Sequence, residues 1–240
     1  MQSRRPIIAV VLLLITTLLG ACVPAMGESA PPPDNPAAPA VAPVEPVVEA
    51  VPPPPPPRSV TEQPFTPFAD VEGVTLYHPA ARVERVGFHE ANHDGARPMV
   101  TLATTVSPMT LESRNRGTGS RTAADIVADP AGEIRSPVTG TVIRGGSYIL
   151  YCNTRDYYVV IEPDERPGWE VKVLHMTGLN VQKGQRVTAR ETVLAPGPHQ
   201  LPFESQVDKA RTADPAWPHV HIEVVDPSIP DRPSPGGRGC

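Results

Sequence analysis

Cysteine is scarce in this chain: Cys22, Cys152 and Cys240 are the only three among 240 residues, too few for a disulfide-dense scaffold. An excess of positive charge is also lacking. The formal net charge is -5 and both signs are spread along the chain, so no cationic face is offered to nucleic acid and no such partner is expected. Sustained helical periodicity is missing beyond Thr66, which argues against a helical fold. Proline, in contrast, is abundant, with 33 residues, so much of the chain cannot enter a core and one folded domain is the expectation.

The chain opens with Arg4 and Arg5, followed by an apolar run from Ile7 to Leu19, the two-part layout of a signal peptide. That run is short for a membrane span and ends in Leu19-Gly20-Ala21-Cys22, which resembles the bacterial lipobox. The resemblance implies cleavage after Ala21, lipidation of Cys22 and export, with membrane attachment through acyl chains that each contribute about 0.8 kcal/mol per buried CH₂. Residues 22–66 are then expected to be a proline-rich stalk, with the run Pro52 to Pro57 in polyproline II. At about 3.1 Å per residue, such a stalk reaches on the order of 100 Å into the cell wall or periplasm.

Beyond Thr66, β-rich runs alternate with Gly, Pro, Asp and Asn, and the expected class is all-β. Candidate strands are Val74–Tyr77, Val83–Phe88, Met99–Thr104, Asp125–Ala128, Thr141–Arg144, Tyr148–Tyr151, Tyr157–Glu162, Glu170–His175, Arg186–Thr188 and His219–Val225. One short helical turn is expected around Ser205 to Arg211.

Three segments carry a family resemblance: Pro137-Val-Thr-Gly-Thr-Val142, Val181-Gln-Lys-Gly-Gln-Arg-Val187 and the strand His219-Val-His221. In this order they resemble the lysostaphin-type (LytM) zinc endopeptidases of bacterial cell walls. The resemblance implies a β-sandwich of that type (a duplicated hybrid motif) over residues 113–228, preceded by a β extension at 67–112 and followed by a flexible tail at 229–240. Lipoyl and biotinyl carrier domains share such glycine turns. They need a lysine at a hairpin tip, and none is visible here.

In a strand, residues two apart face the same side, so His219 and His221 project together. The resemblance assigns zinc binding to His221 and Asp125, and catalytic roles to His219 and His175. It also requires a histidine four residues before Asp125, where this chain has Arg121. A guanidinium stays protonated and has no lone pair for a metal, so zinc is expected to bind weakly or not at all. The expected arrangement is Arg121 paired with Asp125, in a domain that binds peptidoglycan or regulates a cell-wall hydrolase. The alternative is an active zinc endopeptidase in which His89 or His93, from the cluster His89-Glu90-Ala-Asn-His93-Asp94, replaces the lost ligand. Strand signals before that cluster and turn signals after it favour an ordinary polar loop.

Elsewhere, His199 is expected to be a solvated loop residue. The segment Leu201 to Pro218 is expected to form a lid or partner surface, with Trp217 either stacking on a ligand or packing beneath the loop. A Cys152–Cys240 pairing is left open.

Overall fold

The runs of β-branched and aromatic residues fold as strands, with almost no helix. In chain order the elements are β1 (Thr61–Glu62), β2 (Pro67–Val71), β3 (Val74–Tyr77), β4 (Arg82–His89), β5 (Val100–Thr101), β6 (Pro108–Thr110) and β7 (Ala123–Ala128). They continue as β8 (Ile134–Arg135), β9 (Gly140–Leu150), β10 (Thr154–Pro163), β11 (Glu170–Met176), β12 (Arg186–Val187), β13 (Val193–Ala195), α1 (Gln206–Lys209) and β14 (His219–Val225). The computed structural model describes residues 54, 57–210 and 213–232, all within the unit Val51–Cys240. The signal peptide, Cys22, most of the stalk and Cys240 lie outside the described residues. No helix among the described residues is long and apolar enough to cross a membrane.

The largest sheet has nine strands in the order β1-β4-β7-β14-β11-β10-β9-β12, with β6 added to β4. The β4–β6 pair is parallel and the other pairs are antiparallel. β2 pairs with β3 and β5 in a second sheet, and β8 pairs with β13 in a third. One continuous core draws Phe68, Val71 and Leu76 from the second sheet, Ile134 and Leu194 from the third, and Phe88, Ile126, Val173 and Ile222 from the first. Burial of these side chains is the main force holding the three sheets together.

Several boundaries differ from the sequence expectation. Thr61 and Glu62, read as stalk, form β1 and pair with Val83 and Arg82. Residues 67–112 are no mere extension, because β4 lies inside the large sheet between β1 and β7. The two strands expected around Gly145 and Gly146 are one long β9, in which Gly145 passes so close to the Tyr158 carbonyl that an added Cβ would lie 3.2 Å from it. At Gly145 a residue read as part of a break is instead what lets two backbones approach. The helical turn is present as α1, capped by Ser205, whose side chain accepts from the Asp208 amide.

Candidate functional site

The site follows from the two-residue period of adjacent strands. On β14, Val220, Ile222 and Val224 enter the core, which leaves His219, His221 and Glu223 on the opposite face. On β7, Ala124, Ile126 and Ala128 enter the core, which turns Asp125 to that same face. On β4, Val86 and Phe88 do so, which turns out Gly87 and His89. Pairing then aligns Gly87, Asp125 and His221 across three strands, with His89 two residues along from Gly87 and opposite the small Ala123.

Asp125 is the hub of this face. Its Oδ1 lies 2.9 Å from His221 Nδ1 and 3.0 Å from His89 Nε2, and its Oδ2 lies 3.9 Å from His219 Nε2. One ligand-type atom from each of His89, Asp125 and His221 falls within 4.8 Å of the others. His89 Nδ1 lies 3.0 Å from the Glu90 carbonyl oxygen, an acceptor, so this nitrogen carries the proton and Nε2 presents a lone pair. That Nε2 is buried and has no hydrogen-bond partner among the described residues. On His221 the order is reversed: Nε2 faces Glu223 Oε2 at 3.6 Å and Nδ1 faces the site. Glu223 is held in turn by Lys172, whose Nζ is 2.8 Å from Oε1. Three such ligands, each imidazole backed by an oxygen acceptor, fit a zinc ion with a further position left for water or substrate.

Electrostatics separate the two histidines of β14. Burial pushes His219 down to about 4, against a partly offsetting pull from Asp125, so its imidazole is neutral near pH 7. Burial also acts on His221, but the hydrogen bonds to Asp125 and Glu223 outweigh it and raise that group to about 9 in the metal-free chain. For Asp125, burial opposes ionisation, yet the surrounding imidazoles hold the carboxyl well below its ordinary value.

A second carboxylate, Asp156, lies behind the groove-lining Tyr148 and His175 with 0% exposure. Its Oδ2 takes hydrogen bonds from Tyr148 Oη and His175 Nδ1, both at 2.6 Å, and its Oδ1 lies 3.0 Å from His199 Nδ1. His175 is the bulged residue of β11: the register jumps from Tyr158–Leu174 to Tyr157–Met176, and His175 has φ of 67°. A bulge turns the side chain out of its strand phase, and a left-handed β-strand residue is strained by about 1 kcal/mol or more. The result is a ring 5.0 Å from that of His219, centroid to centroid, fixed through Nδ1 so that Nε2 is the free nitrogen.

Both clusters open into one groove of about 410 Å³. Tyr151 and Phe203, in edge contact at 5.2 Å, line it, as do Leu201 and the start of α1. Leu201 and the residues from Phe203 to Gln206 therefore supply a wall of the groove. Trp217 takes no part in lining it and packs instead with Leu111, Val127 and Val207 beneath the loop.

Asp125, His221, His219, His175 and His89 are brought together, while His93 is not: its Nδ1 accepts from the Gly95 amide at 3.0 Å. Arg121 does not take the place expected for it. Its Nη1 donates to Thr101 Oγ1 at 2.6 Å and its guanidinium stacks 4.9 Å over Phe88, whose side chain enters the core. The Arg121–Asp125 pair is thus corrected to a His89–Asp125 contact, and the segment read as a polar loop begins with the last residue of β4. His199, expected to be solvated, is hydrogen-bonded to Asp156. Sequence reasoning did not single out Asp156, Tyr148, Glu223 or Lys172. Glu223 alone had a signal, since His219-x-His221-x-Glu223 continues one strand face. Cys152 is engaged in a disulfide. No family model and no curated protein matches the chain.

Proposed function

We propose that this protein is a zinc-dependent hydrolase of cell-wall peptides, of the lysostaphin (LytM) type in fold, with His89, Asp125 and His221 as the metal ligands. The observation that carries this reading is the buried, unpartnered Nε2 of His89, aimed at Asp125 beside Nδ1 of His221. It takes the place of the purely binding or regulatory module that Arg121 suggested. Lipidation at Cys22 and the proline-rich stalk, both read from the sequence, place the domain in the cell envelope, anchored to a membrane.

Zinc in such a site supplies a water of lowered pKa and a Lewis acid for a carbonyl oxygen. The chain's own residues do the rest. His219, neutral and buried beside Asp125, accepts a proton from the attacking water. His175, fixed by Asp156 through Nδ1, presents the Nε2 lone pair toward the same space, where it accepts a hydrogen bond from that water, and the proton taken by His219 passes on to the leaving amine. Both imidazoles line the groove, so a peptide bound in it would lie along them.

The test is metal content and activity together. Full-length protein purified without a metal-binding tag should carry one tightly held zinc per chain. It should release peptides from purified sacculi, and a chelator should stop the release. Protein that stays metal-free when offered zinc, and leaves sacculi intact, returns the reading to a regulator.

A further inference from the structure

The groove also holds two arginine side chains. Arg114 and Arg116 both line it, and neither guanidinium forms an ion pair among the described residues. The loop that bears them is built around Glu90, the residue after His89. The Glu90 carboxylate, 8% exposed, accepts from Ser113 Oγ at 2.6 Å, Arg114 N at 2.9 Å and Arg116 N at 3.0 Å. It is therefore taken up by the hydroxyl and backbone donors of the loop. Arg116 Nη1 donates instead to the Glu90 carbonyl oxygen at 2.8 Å, the same oxygen that receives His89 Nδ1. One guanidinium is thus fixed directly to the strand end that carries His89, with its remaining N–H groups unassigned.

Partial burial of Arg116, and the like charge of Arg114 beside it, disfavour its protonated form, against smaller pulls from Tyr151, Asp125 and Glu90. An anion placed between the two would relieve the repulsion and restore the lost solvation. None of the acidic groups of the groove forms an ion pair with either guanidinium among the described residues. Asp125 contacts imidazoles and acts on Arg116 only as a nearby charge, Glu223 pairs with Lys172 and His221, and Glu204 is exposed and has no ion pair among the described residues.

We propose that Arg114 and Arg116 form an anion subsite that takes a carboxylate of the bound peptide, so that the substrates of this groove are acidic peptides. A planar guanidinium binds a carboxylate through two parallel hydrogen bonds, which sets the position of the chain as well as its charge. Because Arg116 is tied to the carbonyl that orients His89, an anchored carboxylate would hold a neighbouring peptide bond at a fixed distance from the His89, Asp125 and His221 cluster. The identity of the groove as a peptide site rests on the hydrolase reading. The preference for acidic peptides rests on the two arginines.

The test uses full-length protein stripped of metal by chelation, so that hydrolysis does not interfere. It is titrated calorimetrically with soluble peptidoglycan stem peptides, in acid form or with their carboxylates converted to carboxamides. The acid form should bind at least about tenfold more tightly, with an advantage that shrinks as salt rises. Arg116→Gln should remove most of that advantage. Arg114→Gln, at an exposed side chain with no hydrogen bond to lose among the described residues, should reduce it without risk to folding and leave zinc content unchanged. Equal binding of the two forms, binding of neither, or full discrimination in the double variant would overturn the proposal. Acid-selective binding without cleavage after zinc is restored would leave the subsite standing and remove the hydrolase reading. Cleavage without acid selectivity would do the reverse.

Discussion

Two buried carboxylates, Asp125 and Asp156, sit on the same face of one sheet, and each touches more than one imidazole. Around Asp125, His221 Nδ1 is hydrogen-bonded to the carboxylate while His89 Nε2 makes no well-aligned hydrogen bond, and His89 Nδ1 and His221 Nε2 face oxygen acceptors of their own. Around Asp156 every contact is a donor directed at the carboxylate, from Tyr148, His175 and His199. The first arrangement leaves one buried ligand-type nitrogen without a hydrogen bond among the described residues. The second is satisfied, and its role is to hold His175 still. The two clusters thus differ at one ring: His221, His175 and His199 all turn Nδ1 toward a carboxylate, whereas His89 turns Nε2.

The largest effect should come from breaking the ligand set. His89→Ala should lower zinc affinity by at least about 100-fold, since a ligand matters more than the outer partners whose loss costs about 10- to 100-fold. Arg121→Ala should leave zinc content unchanged, because Arg121 bonds to Thr101. Competition with a chromophoric chelator measures both. If Arg121→Ala loses the metal and His89→Ala keeps it, the assignment of ligands is wrong.

Asp156→Asn sharpens the contrast from the other side. An amide can donate to His175 Nδ1, which moves that ring's proton to Nε2, the nitrogen needed at the site. We expect kcat on solubilised peptidoglycan to fall roughly 100- to 10,000-fold while zinc content stays the same. The ¹⁵N shifts of the imidazole should report the change of tautomer whether or not the protein is active.

Glu223→Gln should weaken zinc binding by about 10- to 100-fold, by removing the acceptor behind His221 Nε2 and leaving Lys172 without its partner. A smaller effect should appear on the acid limb of folding stability. Burial opposes ionisation of Asp156, but the hydrogen bond and charge of His175, with the bonds from Tyr148 and His199, pull it to about 2. The unfolded chain then takes up the proton first as pH falls. The stabilisation is complete above the ordinary carboxyl value and is lost as pH drops toward about 2, a loss of about 2 kcal/mol. Denaturant melts of metal-free wild type and Asp156→Asn should therefore converge over that range, and parallel curves would show that the charge of Asp156 contributes nothing.

Much of the fold was legible because strand signals are local. The alternation in Val74–Tyr77, Tyr157–Glu162 and His219–Val225 placed those strands with little error, and all-β was correct. The pair His219 and His221 was legible for the same reason. His89 was harder. It ends a strand whose partner, Ala123, is 34 positions away, and no residue near it marks it as the neighbour of Asp125. Arg121, only four residues before Asp125, attracted attention by proximity in the chain, yet its side chain goes to Thr101 and Phe88.

The sequence by itself determined the class of fold, the face shared by His219 and His221, and the candidates for ligand and base, since each follows from a two-residue period or the chemistry of one side chain. Only the tertiary structure decided that His89 stands where Arg121 was expected, that Asp156 governs His175, and that Arg114 and Arg116 reach the same groove. Those choices depend on the register between distant strands and on which ring nitrogen meets which oxygen, and neither is written in any local stretch of the chain.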